Sequence, residues 1–146
     1  SANPALVHEF YNKRRTELLK AQPNSGHTGL FKLEEYFDTY IITQNVDNLH
    51  ERAGSKNVLH LHGELMKVRA LDNESLTFEL KPGKLETSPD TIIDGHRVRP
   101  HIVFFQEAVP NFEPAVKLVQ EADILVIIGT SLNVYPAASL LHYVRP

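Results

Sequence analysis

The chain of 146 residues contains no cysteine, which excludes disulfides and thiolate metal sites alike. It has no apolar run approaching ~18 residues, so no membrane-spanning helix is expected. It has no basic excess: the net charge is -3 and the pI near 6.2, which gives no electrostatic footprint for nucleic acid. The opening "SANPALVHEF" lacks the basic start and apolar centre of a signal peptide. Internal repeats and low-complexity tracts are also missing. A cytoplasmic protein that binds neither nucleic acid nor membrane is the expectation. With 42 % apolar and 23 % charged residues, the composition is that of an ordinary globular domain, and the length supports one real core.

What is present is a succession of helix and strand signals. Asn3 before Pro4 makes a helix start, and Leu6, Val7, Phe10, Leu18 and Leu19 recur near helical spacing to about residue 20. Asn24 or Ser25 can cap a second helix with a stripe of Leu30, Phe31, Leu33 and Tyr36. "TYIITQ", "NVLHLHG", "HIVFF" and "ILVIIGTS" read as strands, with amphipathic helices predicted over 110–123 and from 137. Alternating strands and helices predict an α/β fold, a Rossmann-like parallel sheet with helices on both faces. Residues 65–100, rich in turn formers around "ESLTFEL", read as a small inserted module. The expected division is a helical part at 1–22, a partial Rossmann-like domain at 23–64 and 101–146, and the insert between.

In such folds ligands sit beyond the carboxyl ends of the strands. Four polar segments, "TQNVDNLHERAG", "HGEL", "FQEAVP" and "GTSLNVYP", follow strands here. Asn45 and Asp47 can offer donors and acceptors to a flat carboxamide, and Gln44 can reach sugar hydroxyls; the same residues also suit an Asx-turn and a helix cap. His62 before Gly63 can serve as a general base. It is equally a satisfied polar residue, and His60 with His62 has the same-face spacing of a strand metal pair. Gly129, Thr130 and Ser131 allow close approach to phosphate or ribose, or simply make a tight turn. Tyr11 and Arg14, three apart on one helix face, form a carboxylate receptor or a solvated face with Lys13 and Arg15.

"TQNVDNLHERAG", "LHGEL", "RPHIVFF" and "GTSLNVYPAA", in this order and spacing, resemble the sirtuins, NAD-dependent protein lysine deacylases. "FYNKRR" is similar to the helix of the bacterial desuccinylase-like branch. The resemblance implies transfer of an acyl group from lysine to ADP-ribose with release of nicotinamide. It implies Asn45 and Asp47 at the nicotinamide carboxamide and Gln44 at its ribose. Gly129, Thr130 and Ser131 fall at the NAD ribose and phosphates, and His62 is the base. Val103, Phe104, Glu107 and Val134 lie along the substrate peptide, with Tyr11 and Arg14 on an acidic acyl group. An acylated lysine of a protein is the implied partner.

Three departures accompany the likeness. Cysteines of the family's zinc module are absent from 65–100, so no zinc is expected and packing of Leu76, Phe78 and Leu80 is expected to hold the insert. Phe105-Gln106-Glu107 stands where the family reads Phe-Gly-Glu. The family's first strand and Gly-Ala-Gly phosphate loop are not among these residues, which suggests the ordered part of a longer protein. A non-catalytic module binding NAD or ADP-ribose is the alternative, and a metal hydrolase on His60 and His62 a third.

Overall fold

The structure is a computed structural model that describes residues 3–145. Helix α1 (Pro4–Lys20) starts as the sequence predicts: Pro4 occupies the first turn and the Asn3 side chain accepts the Leu6 N–H at 3.1 Å. Its buried face differs from the predicted apolar stripe. Leu6, Phe10 and Leu19 are more than half exposed, whereas His8, Arg15 and Leu18 are buried. Those three also keep helical spacing, but polar partners rather than an apolar neighbour select the face.

Arg15, which the sequence groups with Lys13 in a solvated basic cluster, is completely buried. Its Nε donates to the Leu65 carbonyl at 2.8 Å, and one terminal nitrogen donates to Asn12 Oδ1 and the Leu85 carbonyl. Beside it the His8 ring bonds Thr87 Oγ1 at 2.8 Å. Burial pulls the guanidinium down to about 10, still charged at neutral pH. Arg15→Met keeps the stem but strands two buried carbonyls, so it should lower stability by about 2–4 kcal/mol. A denaturant midpoint unchanged from wild type would reject this anchor.

Helix α2 (Ser25–Leu33) is capped by Asn24, which accepts from the N–H of Gly26 and His27 while the His27 ring accepts the Asn24 N–H. Strands β1 (Ile41–Thr43) and β2 (Val58–His60) then pair in parallel, joined through the short helix α3 (Leu49–Arg52). Helix α4 (Phe112–Glu121) and a 3-10 segment (Ala137–Tyr143) cover them, burying Leu61, Ala115, Val119, Ala137 and Leu140 with Ile42 and Leu59 packed alongside.

The strand predicted over 124–131 does not form. Among the described residues no backbone pairs with it, and Ile124, Val126 and Ile128 stay about two-thirds exposed or more. β-propensity alone does not make a strand; a ladder partner is needed. "HIVFF" is likewise shifted: its strand runs earlier, over His96–Ile102.

The second sheet is antiparallel, in the order β4 (Thr77–Glu79), β3 (Gly63–Ala70), β6 (His96–Ile102), β5 (Ile92–Ile93). Val68, Leu80 and Val98 form its core with Phe78, Leu85 and Ile93 against them. Leu76 takes part through its backbone, accepting the Ala70 N–H at 2.9 Å. No helix among the described residues is long and apolar enough to cross a membrane.

Candidate functional site

Where β1 ends, Thr43 Oγ1 accepts the Asn45 N–H at 3.0 Å and turns the chain. Asp47 then accepts the Leu49 N–H at 3.0 Å and opens α3. Asp47 thus carries out the local capping work of an Asx-turn, using one of its oxygens. Gln44 reaches away instead: its Nε2 donates to Thr130 Oγ1 at 3.2 Å, across 86 residues of chain. Asn45 is exposed beside it, as are Gly129 and Ser131 on the facing loop. Backbone bonds from Leu61 to the Thr43 carbonyl (2.9 Å) and from Leu65 to the Val46 carbonyl (2.7 Å) lock the loop against the start of β3.

Two histidines grip the same loop. His62 Nδ1 lies 3.2 Å from the Gln44 carbonyl oxygen, and His60 Nδ1 lies 3.0 Å from that of Asn45. A carbonyl only accepts, so each Nδ1 carries the proton. For His62 this fixes the tautomer and leaves Nε2 with a basic lone pair, the form a general base requires. His60 is different. Its Nε2 sits 2.6 Å from Glu51 Oε1, so a proton lies there too, and the pair is an imidazolium and a carboxylate. Burial alone would lower His60, but the Glu51 and Asn45 bonds with the charges of Glu51 and Glu64 raise it overall. Among the described residues the acidic neighbours of His60 are Glu51 and Glu64; His62 does not join them. The two histidines therefore do not form the strand metal pair that their spacing allowed, because β2 ends at His60 and His62 lies beyond it.

The third segment is built on Glu107. Arg69 and Arg99 face each other in the β3–β6 register, an unfavourable pairing of like charges. Glu107 bridges them, 3.2 Å from Arg69 and 2.8 Å from Arg99, and also accepts the Phe104 N–H at 3.0 Å. Burial would raise its pKa, yet these bonds and charges hold it below the usual carboxylate range. Arg99 lies 4.4 Å from the Phe104 ring centroid, and Tyr11 approaches that ring from α1 at 6.0 Å. Burial raises the Tyr11 phenol against the opposing pull of Arg99 and Arg14. Arg14 itself is 57 % exposed and faces Glu17 at 3.9 Å. Val103 donates to the His62 carbonyl at 2.9 Å, tying this segment to the histidine; Val134 is 44 % exposed on the far loop.

Sequence reasoning missed Glu51, Glu64, Arg69 and Arg99. The alternation in "KVRA" and "HRVRP" signals strands with charge on one side, but only the register shows the two arginines opposed.

Gln106 has φ +71°, in the left-handed region that favours glycine. A family glycine at this place is thereby explained by backbone conformation. Gln106→Gly should raise stability by about 1 kcal/mol or less, the relief of strain being partly offset by glycine's greater freedom when unfolded. A lowered melting temperature would contradict that reading.

Comparison with known proteins identifies the family. The family model described as Sir2 matches residues 1–136. An NAD-dependent protein deacylase of Bacteroides thetaiotaomicron is 58 % identical over 146 residues, covering 97 % of this chain and 62 % of its own length. One from Helicobacter pylori is 50 % identical over 138 residues, covering 94 % of this chain and 59 % of its own. This chain therefore spans under two-thirds of these relatives. A Sir2 homologue solved with NAD superposes with a TM-score of 0.85 at 39 % identity, covering 98 % of this chain and 57 % of that one. A Sir2 protein bound to a propionylated peptide gives 0.76 at 38 %, covering 93 % and 61 %. By family model, sequence identity and Rossmann-like fold together, the chain belongs to the Sir2 family.

Proposed function

We propose that the full-length gene product is an NAD-dependent protein lysine deacylase, and that this chain supplies its base and its nicotinamide-facing loop. The observation that carries the reading is His62, held in its Nδ1–H tautomer by the Gln44 carbonyl, with Gln44 in turn bonded to Thr130. The donor set fits the cofactor: the exposed amide of Asn45 and the second oxygen of Asp47 complement a carboxamide, while Gln44 and Thr130 suit ribose hydroxyls. Gly129, with φ +65° and open space around it, and Ser131 complete that side. Bound NAD would supply the electrophilic ribose carbon and the nicotinamide leaving group. His62 Nε2 would take a proton from a ribose hydroxyl. Val103, Phe104, Glu107 and Val134 would line the peptide, which adds as an extended strand.

In this reading residues 1–22 belong to a small helical domain and 65–100 replace a zinc module. Residues 23–64 and 101–146 contribute to the NAD-binding domain. The protein works in the cytoplasm, where NAD and acylated proteins meet.

The test is nicotinamide release from NAD by the full-length gene product with acetyl- and succinyl-lysine peptides. One nicotinamide per lysine freed is expected; NAD binding in a calorimeter without release would favour a non-catalytic module. Tyr11→Phe and Arg14→Met should each depress desuccinylation at least about tenfold, the loss of a charge-assisted hydrogen bond, with deacetylation much less changed. Equal losses on both peptides would remove the acyl-recognition role.

A further inference from the structure

We propose that His60 is a positioning residue for the cofactor loop, holding the Asn45 carbonyl on one ring nitrogen while Glu51 holds the other. The proposal rests on the deacylase reading for its function and on geometry for its existence. His60 is 5 % exposed and is fixed from three sides. Its ring meets Asn45 at 3.0 Å and Glu51 at 2.6 Å, and its own carbonyl accepts from Asn111 Nδ2 at 2.8 Å. The adjacent Gln44 carbonyl is held by His62. Consecutive carbonyls of the loop are thus gripped by alternate histidines, one the proposed base and one locked in an ion pair. When His62 exchanges its proton, the loop keeps a second attachment that does not change.

A metal-ligand role suits this cluster less well. Its members are already paired with one another and with the chain, Glu51 with His60 at 2.6 Å and Glu64 with Lys67 at 2.8 Å.

The tether has a pH window. The titratable groups around His60 are Glu51 and His50 on α3 and Glu64 on β3, with Lys67 beyond it. The His60 pKa is raised, so its contribution is complete below the ordinary histidine value and is lost as pH climbs through the raised one. The Glu51 pKa is lowered despite burial, through its bond to His60, so its share is lost only as pH falls through that lowered value. Above the window a lone pair on Nε2 confronts the Glu51 carboxylate, and the loop loosens.

The test uses the full-length gene product and two substitutions that each retain one arm. Asparagine places its amide near Nδ1 and keeps the Asn45 bond; glutamine places its amide near Nε2 and keeps the Glu51 bond. His60→Gln should raise KM for NAD about tenfold, the loss of one buried hydrogen bond, and His60→Asn less than about threefold. Backbone amide exchange across residues 44–47 should quicken in His60→Gln and not in His60→Asn. KM should rise on the alkaline side in wild type and stay flat there in His60→Asn, which does not titrate. Glu51→Gln keeps the shape of the pair, and nitrogen NMR of the ring should then show the His60 titration moved down. Equal KM penalties in both variants with unchanged exchange at 44–47, or a His60 titration indifferent to Glu51→Gln, would overturn the proposal. Exchange and ring NMR need no turnover: absence of nicotinamide release in wild type would sink the deacylase reading while leaving the tether to be judged on these two.

Discussion

His62→Asn in the full-length gene product should abolish most turnover while leaving the fold in place. The asparagine amide occupies the place of Nδ1 and still donates to the Gln44 carbonyl, so the loop after β1 remains tied. What disappears is the Nε2 lone pair, and with it general-base assistance worth roughly 100- to 10,000-fold in rate. Backbone bonds on both sides, Leu61 to Thr43 and Val103 to His62, are independent of the ring. The melting temperature should therefore move by no more than about 2 °C, as expected when no buried group is left unpaired. Activity within about tenfold of wild type would show that another group serves as base. Lost activity with an equally large loss of melting temperature would show that the ring is structural.

Gly63→Ala, one residue on, should act through the opposite route and unfold the protein. Gly63 has φ +91° and pairs with Ile102 where β3 meets β6. A Cβ there would lie 2.0 Å from the His101 carbonyl oxygen and 2.9 Å from the Ile102 Cα, both backbone atoms of the paired strand. The left-handed conformation alone costs about 1–2 kcal/mol. Relieving the overlap means parting the strands, which also breaks the Val103-to-His62 bond. The total should exceed about 4 kcal/mol, a large share of the ~5–15 kcal/mol that holds a domain together. Gly83→Ala is the control, with φ +80° and nothing within 4 Å of its Cβ. It should cost only the conformational term, about 1–2 kcal/mol. Chemical denaturation of the two variants gives the comparison, and similar midpoints would refute the overlap argument.

Local signals in the sequence were read well where local physics decides the outcome. The Asn3 and Asn24 caps, Pro4, and the apolar segments of β1 and β2 specify their elements almost without help from the rest of the chain. The Gln44–Thr130 bond joins two of the predicted loops, but the strand expected before Thr130 does not form, so a shared sheet edge is not what brings them together. Long-range pairing was not legible. Arg15 looked like its neighbours Lys13 and Arg14 because nothing local marks the residue whose partners lie 50 to 72 positions away. The 124–131 segment has the composition of a strand, but composition does not supply the partner that would close its hydrogen bonds. Gln106 gave no hint of its positive φ, since an amide side chain carries no sign of the backbone beneath it. Nothing in the polar segment after β1 marks Glu51 as the partner of His60, nine residues on.

The central claim is that side chains of three separated loops form one nicotinamide-binding site. Titrating isotope-labelled full-length gene product with NAD, and following the backbone amides of 44–49, 61–63 and 129–131, measures it directly. All three groups should shift together along one binding curve, with nicotinamide alone reproducing the changes at 44–49. Shifts confined to one loop, or loops responding with separate affinities, would contradict it.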